Sequence, residues 1–217
     1  MTSHSEYEPR GEGPNAGGQE FEIPSYDHVM IDIETMSLSP HNALILSVGM
    51  IEFDPEPVNQ LCIGSKSLIV MNIEQQLALG REVSKSTQDW WLKQDPKARV
   101  HWSYPDFPQI HVATALDLIR KFCAGKSRVW ANGTQFDLSN LVGLNKQWAA
   151  SGTVMETNAV DLWHYQAPRD MRTFCRETPA TRLVPIGDAL DIPGVPHDPV
   201  YDCIMQAYQV WSHWSHV

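Results

Sequence analysis

The sequence predicts a mixed α/β layer fold, a central sheet with helices packed on it. Three observations lead there. Three β-type segments separated by turn residues open the folded part, helical-period segments with one or two further strands follow, and no internal repeat or second hydrophobic unit interrupts them. With 217 residues, one domain with decorations is the natural expectation, and a core of that size stands without disulfide or metal staples.

Residues 1–25 stand apart. They hold Gly11, Gly13, Gly17 and Gly18, five Glu against one Arg, and almost no aliphatic residues. Such a segment cannot bury enough apolar surface to offset its chain entropy. It is read as a disordered tail, and residues 26–217 as the single domain.

The body opens with a strand over His28–Thr35, β-branched and aliphatic with carboxylates at alternate positions. Turn residues from Ser37 to Asn42 lead into Ala43–Phe53, the longest aliphatic run and the second strand, which Asp54-Pro-Glu-Pro57 ends. A third strand lies within Leu61–Met71, giving an antiparallel meander. Ser84 and Ser86 are candidate caps for a helix carrying Trp90-Trp91-Leu92. Apolar residues at 112, 115, 116, 119 and 122 predict a helix over Ala113–Phe122, closed by Gly125. Arg128–Ala131 is a short strand broken by Asn132-Gly133, and a helix over Phe136–Ala150 stops near Gly152. Val160–Trp163 reads as a short strand or helix. Leu183–Pro196 is Pro-rich and loop-like, and Asp198-Pro199 then starts a last helix running to about Trp211.

Sixteen basic against 26 acidic residues give a net charge of −10. That excludes a protein coating nucleic acid through a basic surface, though not an enzyme gripping a few nucleotides. No apolar run approaches the ~18 residues of a membrane span, and no charged start precedes an apolar stretch at the N-terminus. Cys62, Cys123, Cys175 and Cys203 lack metal-ligand spacing and are too few for a disulfide scaffold, so they read as reduced thiols. The expectation is a soluble, cytoplasmic protein without membrane contact.

Asp32 and Glu34 lie two apart on the first strand, so period-2 geometry points both to one face while Ile31 and Ile33 face the core. Adjacent carboxylates in an apolar strand repel each other and resist desolvation. A divalent cation relieves both costs, and hard oxygen ligands suit Mg²⁺ or Mn²⁺. The competing reading is an edge strand with one solvated face. Asp137 follows the strand 128–131 at a helix start, where α/β folds place ligands. Its competing reading is an acid that complements the helix macrodipole. Asp202 falls in the first turn of the last helix. His197 stands just before the Asp198 cap, on a loop from which a base can reach a water and move with the substrate. Singly, such a histidine is a surface residue.

Together these five residues resemble the DEDD superfamily of 3′-5′ exonucleases. The motifs are Asp32-Ile-Glu34-Thr35, Gly133-Thr-Gln-Phe136-Asp137 and His197-Asp-Pro-Val-Tyr-Asp202, and the His-x4-Asp spacing matches the histidine branch, DEDDh. Met30–Met36, Ser84–Arg99 with its Trp-Trp-Leu-Lys-Gln segment, and Arg169–Thr173 are similar to a smaller branch of bacteriophage exonucleases and a bacterial exoribonuclease-like domain. The third motif departs from the common His-x-Ala form in having Asp198-Pro199 after the histidine.

The resemblance implies a ribonuclease H-like fold and a two-metal mechanism. Asp32, Glu34 and Asp202 would hold two Mg²⁺ or Mn²⁺ ions about 4 Å apart, with Asp137 supporting the second. His197 would take the proton from the attacking water. Nucleoside 5′-monophosphates would leave the 3′ ends of single-stranded DNA or RNA, in the host cytoplasm if the chain is phage-encoded.

Thr35, Phe136, Arg169 and Arg172 are the expected substrate contacts. Phe136 could stack on a terminal base, and the cluster of Arg169, Arg172, Arg176 and Arg182 could steady phosphates. Trp90 and Trp91 sit about 100° apart on a helix and cannot share a face, so at least one belongs in the core. Trp211 and Trp214 cover core or form a homodimer contact, while His213 and His216 make no convincing metal site. The alternative function is a non-catalytic nucleic-acid or nucleotide-binding module that keeps the fold. An unrelated acidic metal-binding protein is a second rival, but cation storage needs neither the His-x4-Asp nor the Gly-x-x-Phe-Asp pattern.

Overall fold

The computed structural model describes residues 26–103, 107–152, 160–182 and 194–214. The expected tail, most of the Pro-rich stretch and His216 lie outside the described residues.

Strands β1 (His28–Thr35), β2 (Ile45–Asp54) and β3 (Cys62–Val70) form the expected antiparallel meander. Beyond β1, β4 (Arg128–Ala131) and β5 (Pro168–Asp170) add in parallel, giving the order β3-β2-β1-β4-β5 among the described residues. β1 is therefore the central strand, which overturns the edge-strand reading of Asp32 and Glu34. Cover on both faces also accounts for the near-continuous apolar run of β2.

The helices are α1 (Ile73–Ala78), α2 (Lys85–Trp91), α3 (Val100–Ser103), α4 (Val112–Cys123), α5 (Asp137–Ala150), α6 (Met171–Glu177) and α7 (Pro199–His213), with a 3₁₀ turn over Pro96–Arg99. Of the two candidate caps for α2, Ser84 is the one used, accepting from the Thr87 N–H. Val160–Trp163 forms neither strand nor helix. Side chains of Arg120 and Asn145 take the Val160 carbonyl, and the strand that pairs with β4 comes later, at Pro168.

Alternation along β1 splits the core in two. Val29, Ile31 and Ile33 pack with α4 and α5 on one face of the sheet. Met30 packs with Trp130, Met171 and the α7 residues Cys203, Ile204, Ala207 and Val210 on the other. Trp211 and Trp214 are buried in this second cluster, so they cover core and offer no dimer surface. Above the strand ends, Leu44, Leu46, Trp91 and Ala98 form a third cluster. The buried Arg81 guanidinium bonds the carbonyls of His41, Ala43 and Asn140, fastening the β1–β2 connection to α5. No helix among the described residues is long and apolar enough to cross a membrane, and all four cysteines are free.

Candidate active site

The second face of β1 carries Asp32 and Glu34, and α7 crosses it there. Gly49 on β2 sits opposite Asp32 in the antiparallel register. A Cβ at Gly49 would lie 2.3 Å from the Pro199 carbonyl, so only glycine lets the first turn of α7 approach this closely. That approach delivers Asp202. The chain before α7 turns through Val195-Pro196-His197-Asp198, closed by the Asp198 N–H donating to the Val195 carbonyl at 3.0 Å. Proline second and positive φ third are the marks of a type II turn. The third residue here is His197, with φ +69°. Its backbone N–H donates to Asp202 Oδ2 at 3.0 Å. Asp198 caps α7, accepting from the Val200 and Tyr201 N–H groups. The loop is thus pinned at both ends by this acid pair, rather than free as a surface histidine would be.

Glu34, His197 and Asp202 offer ligand atoms within 4.8 Å of one another. Burial, with Asp137 and Asp202 nearby, raises the Asp32 carboxyl well above the usual range, and the Gln206 amide opposes that rise. Glu34 is raised well above its ordinary value by burial and then by Asp32, Asp202 and Asp137. Burial pushes Asp137 up to about 7, against the backbone N–H groups of Ile33 and of Asp137 itself. Asp202 is raised by burial and partly restored by the His197 N–H. Four acids that all resist ionising, with the Arg172 charge opposing that rise at Asp137, form a site short of positive charge. Hard carboxylate oxygens with an imidazole beside them fit a divalent cation.

Beside the acids lies a cavity of about 330 Å³ lined by Glu34, Thr35, Leu38, Trp90 and Phe136, among others. Trp91 is 2% exposed and donates from its indole to the Thr35 carbonyl at 2.9 Å. Its neighbour Trp90 is 40% exposed and meets the His197 ring edge-on at 4.8 Å. The two tryptophans divide between core and site as their 100° separation requires.

Arg172 bonds the Asn132 carbonyl and side chain, at the turn preceding Asp137. Arg169 instead donates to the Gln166 and Pro168 carbonyls and lines a separate cavity with Arg120 and Lys126. Arg182 is fixed to the Pro55 and Trp211 carbonyls and stacks on Trp211. Arg169 and Arg182 are thus engaged elsewhere, while Thr35 and Phe136 line the cavity beside Glu34 and the Arg172 charge acts on Asp137. Larger cavities of about 590 and 680 Å³ hold none of the four acids.

Residues 27–214 match the model of the 3′-5′ exoribonuclease Rv2179c-like domain. The chain belongs to this family. It is a 3′-5′ exonuclease, a hydrolase, and divalent-metal chemistry is the family's expectation. An exodeoxyribonuclease of Enterobacteria phage T4 is 27% identical over 195 residues, 80% of this chain and 83% of that one. Among solved structures, the zinc-bound complex of E. coli ExoI with single-stranded DNA matches with a TM-score of 0.51 at 12% identity, covering 84% of this chain. Cell-death related nuclease 4 matches at 15% identity over 85% of this chain, with a TM-score of 0.47. The chain spans 40% of the ExoI chain and 62% of the second, and the ExoI likeness is one of fold, the ribonuclease H-like type.

Within this exonuclease domain, sequence reasoning missed Gly49, Gln206 and the contact of Trp90 with His197. An isolated glycine in an apolar strand was the available signal for close backbone approach. Gln206 stands four residues after Asp202, hence on the same helix face, but only a docked α7 makes that spacing meaningful.

Proposed function

We propose that Asp32, Glu34, Asp137 and Asp202 hold two divalent cations, Mg²⁺ or Mn²⁺, and that His197 is the general base for hydrolysis at the 3′ end of single-stranded DNA or RNA. The observation that carries this reading is the gathering of Glu34, His197 and Asp202 within 4.8 Å, beside two further acids whose carboxyls burial raises above their ordinary range. Bound cations supply Lewis-acid stabilisation of the attacking and leaving oxygens at phosphorus. The protein's own groups do the rest. The His197 imidazole receives the proton of the attacking water, from a backbone held by the Asp202 bond. Phe136 and Leu38 wall the cavity beside Glu34 and receive the terminal nucleotide. Arg172 meets the phosphate on the Asp137 side. The products are nucleoside 5′-monophosphates.

The catalytic unit is residues 26–217, with residues 1–25 outside it. Four free thiols suit a reducing cytoplasm.

The test is digestion of matched single-stranded DNA and RNA, labelled at either end, with Mg²⁺ or Mn²⁺. Mononucleotides released from the 3′ end, and abolished by chelation, are expected, and the matched pair reports the preferred sugar. Asp32→Ala should be inactive yet folded. Activity that survives exhaustive chelation, or a fully active Asp32→Ala, overturns the metal site.

A further inference from the structure

Gln206 lies one turn beyond Asp202 on the face of α7 that packs on β1. It is 8% exposed, in a stretch where Cys203, Ala207 and Val210 are apolar core. Its Nε2 donates to Asp32 Oδ1 at 2.7 Å. Its Oε1 is buried and has no partner among the described residues. A buried carbonyl oxygen left unpaired is destabilising, so packing alone does not account for a glutamine at this position. The amide also has one workable orientation. Reversed, it would set Oε1 against a carboxylate oxygen, acceptor against acceptor. The bond engages Oδ1 of Asp32 and so fixes the orientation of the carboxylate, while the amide does not engage Oδ2.

We propose that Gln206 is a positioning residue of the metal site: its amide locks the Asp32 carboxylate in one orientation toward the cation. This rests on the metal-site reading above. The groups that orient ligands from behind are worth about 10–100-fold in metal affinity or activity, and Gln206 stands in that relation to Asp32.

The experiment is Mn²⁺ titration by calorimetry on the full chain, with thermal melts of the metal-free protein and kinetics on a short oligonucleotide. Gln206→Met keeps the volume and removes both the donor and the orphaned oxygen. Without metal it should melt close to the wild-type temperature, the lost orphan oxygen offsetting the lost bond to Asp32, and it should bind Mn²⁺ about 10–100-fold more weakly. Its kcat should fall at limiting Mn²⁺ and recover at high Mn²⁺, with an unchanged KM for the oligonucleotide. Gln206→Leu, which also lacks the donor, carries the same expectation should the Met variant fail to fold. Gln209→Met, on the exposed side of α7, should match wild type throughout. Mn²⁺ affinity within threefold of wild type in either folded Gln206 variant overturns the assignment. A wild-type chain that binds no Mn²⁺ overturns the metal site itself, so the two failures are distinguishable.

Discussion

His197 holds a backbone conformation that costs an L-residue about 1–2 kcal/mol relative to glycine. That cost brings its amide onto Asp202 and its ring against Trp90. The two contributions separate by substitution. His197→Ala and His197→Gly should each lower kcat roughly 10²–10⁴-fold in single-turnover cleavage. The glycine variant should be the more stable of the two by about 1 kcal/mol in chemical denaturation, since it alone relieves the φ strain. A rate within about threefold of wild type, below the bottom of the general-base range, removes the base assignment. His28 makes the opposite kind of residue, a histidine kept neutral. Burial, and then the Arg128 charge, depress it to about 3, and its Nδ1 accepts from the Trp130 indole at 3.2 Å. Between that value and the ordinary 6.5 the unfolded chain binds the proton and the folded chain does not. Stability contributed here is full above about pH 6.5 and is lost as pH falls toward 3. His28→Asn should be less stable at neutral pH and should lose less stability than wild type on acidification from pH 6.5 to 4. Parallel stability–pH curves for the two proteins would contradict this.

Among the elements, α7 decides whether the acids meet. Its first turn rests on Gly49, where a Cβ would collide with backbone that cannot swing aside as a flexible side chain can. Gly49→Ala should therefore shift the helix, cost about 1–3 kcal/mol or more in denaturant, and reduce Mn²⁺ affinity along with activity. Full activity with an unchanged melting temperature would show the helix has slack there. The start of α7 was legible because Asp198 and Pro199 satisfy and tolerate the orphan N–H groups locally. The β1 acids and Asp137 were legible for a similar reason, since each sits in a short motif with its own strand or helix boundary. What escaped was whatever depends on a distant partner. β5 is three residues beginning with Pro168, a strand only because β4 offers it a parallel edge. Helix α1, six residues long, is too brief for a 3.6-residue period to register. Gly49 and Gln206 gain their meaning from a helix crossing two strands, which neither shows alone.

For the molecule as a whole, a net charge of −10, with the four acids gathered on one face, disfavours holding nucleic acid by a broad basic track. The acidic residues 1–25 add to that repulsion. Their removal should leave the melting temperature and the chemistry intact, with equal or slightly faster turnover at low salt. A deletion variant that folds but does not cleave would place those residues in the site. The assembled centre also has an order in time. The bond between Gln206 and Asp32 joins residues 174 positions apart, and β1 leaves the ribosome long before α7 does. Until that helix docks, Asp32 and Glu34 face water with neither Asp202 nor His197 beside them. A chain still being translated therefore lacks the gathering of Glu34, His197 and Asp202 that the finished fold provides.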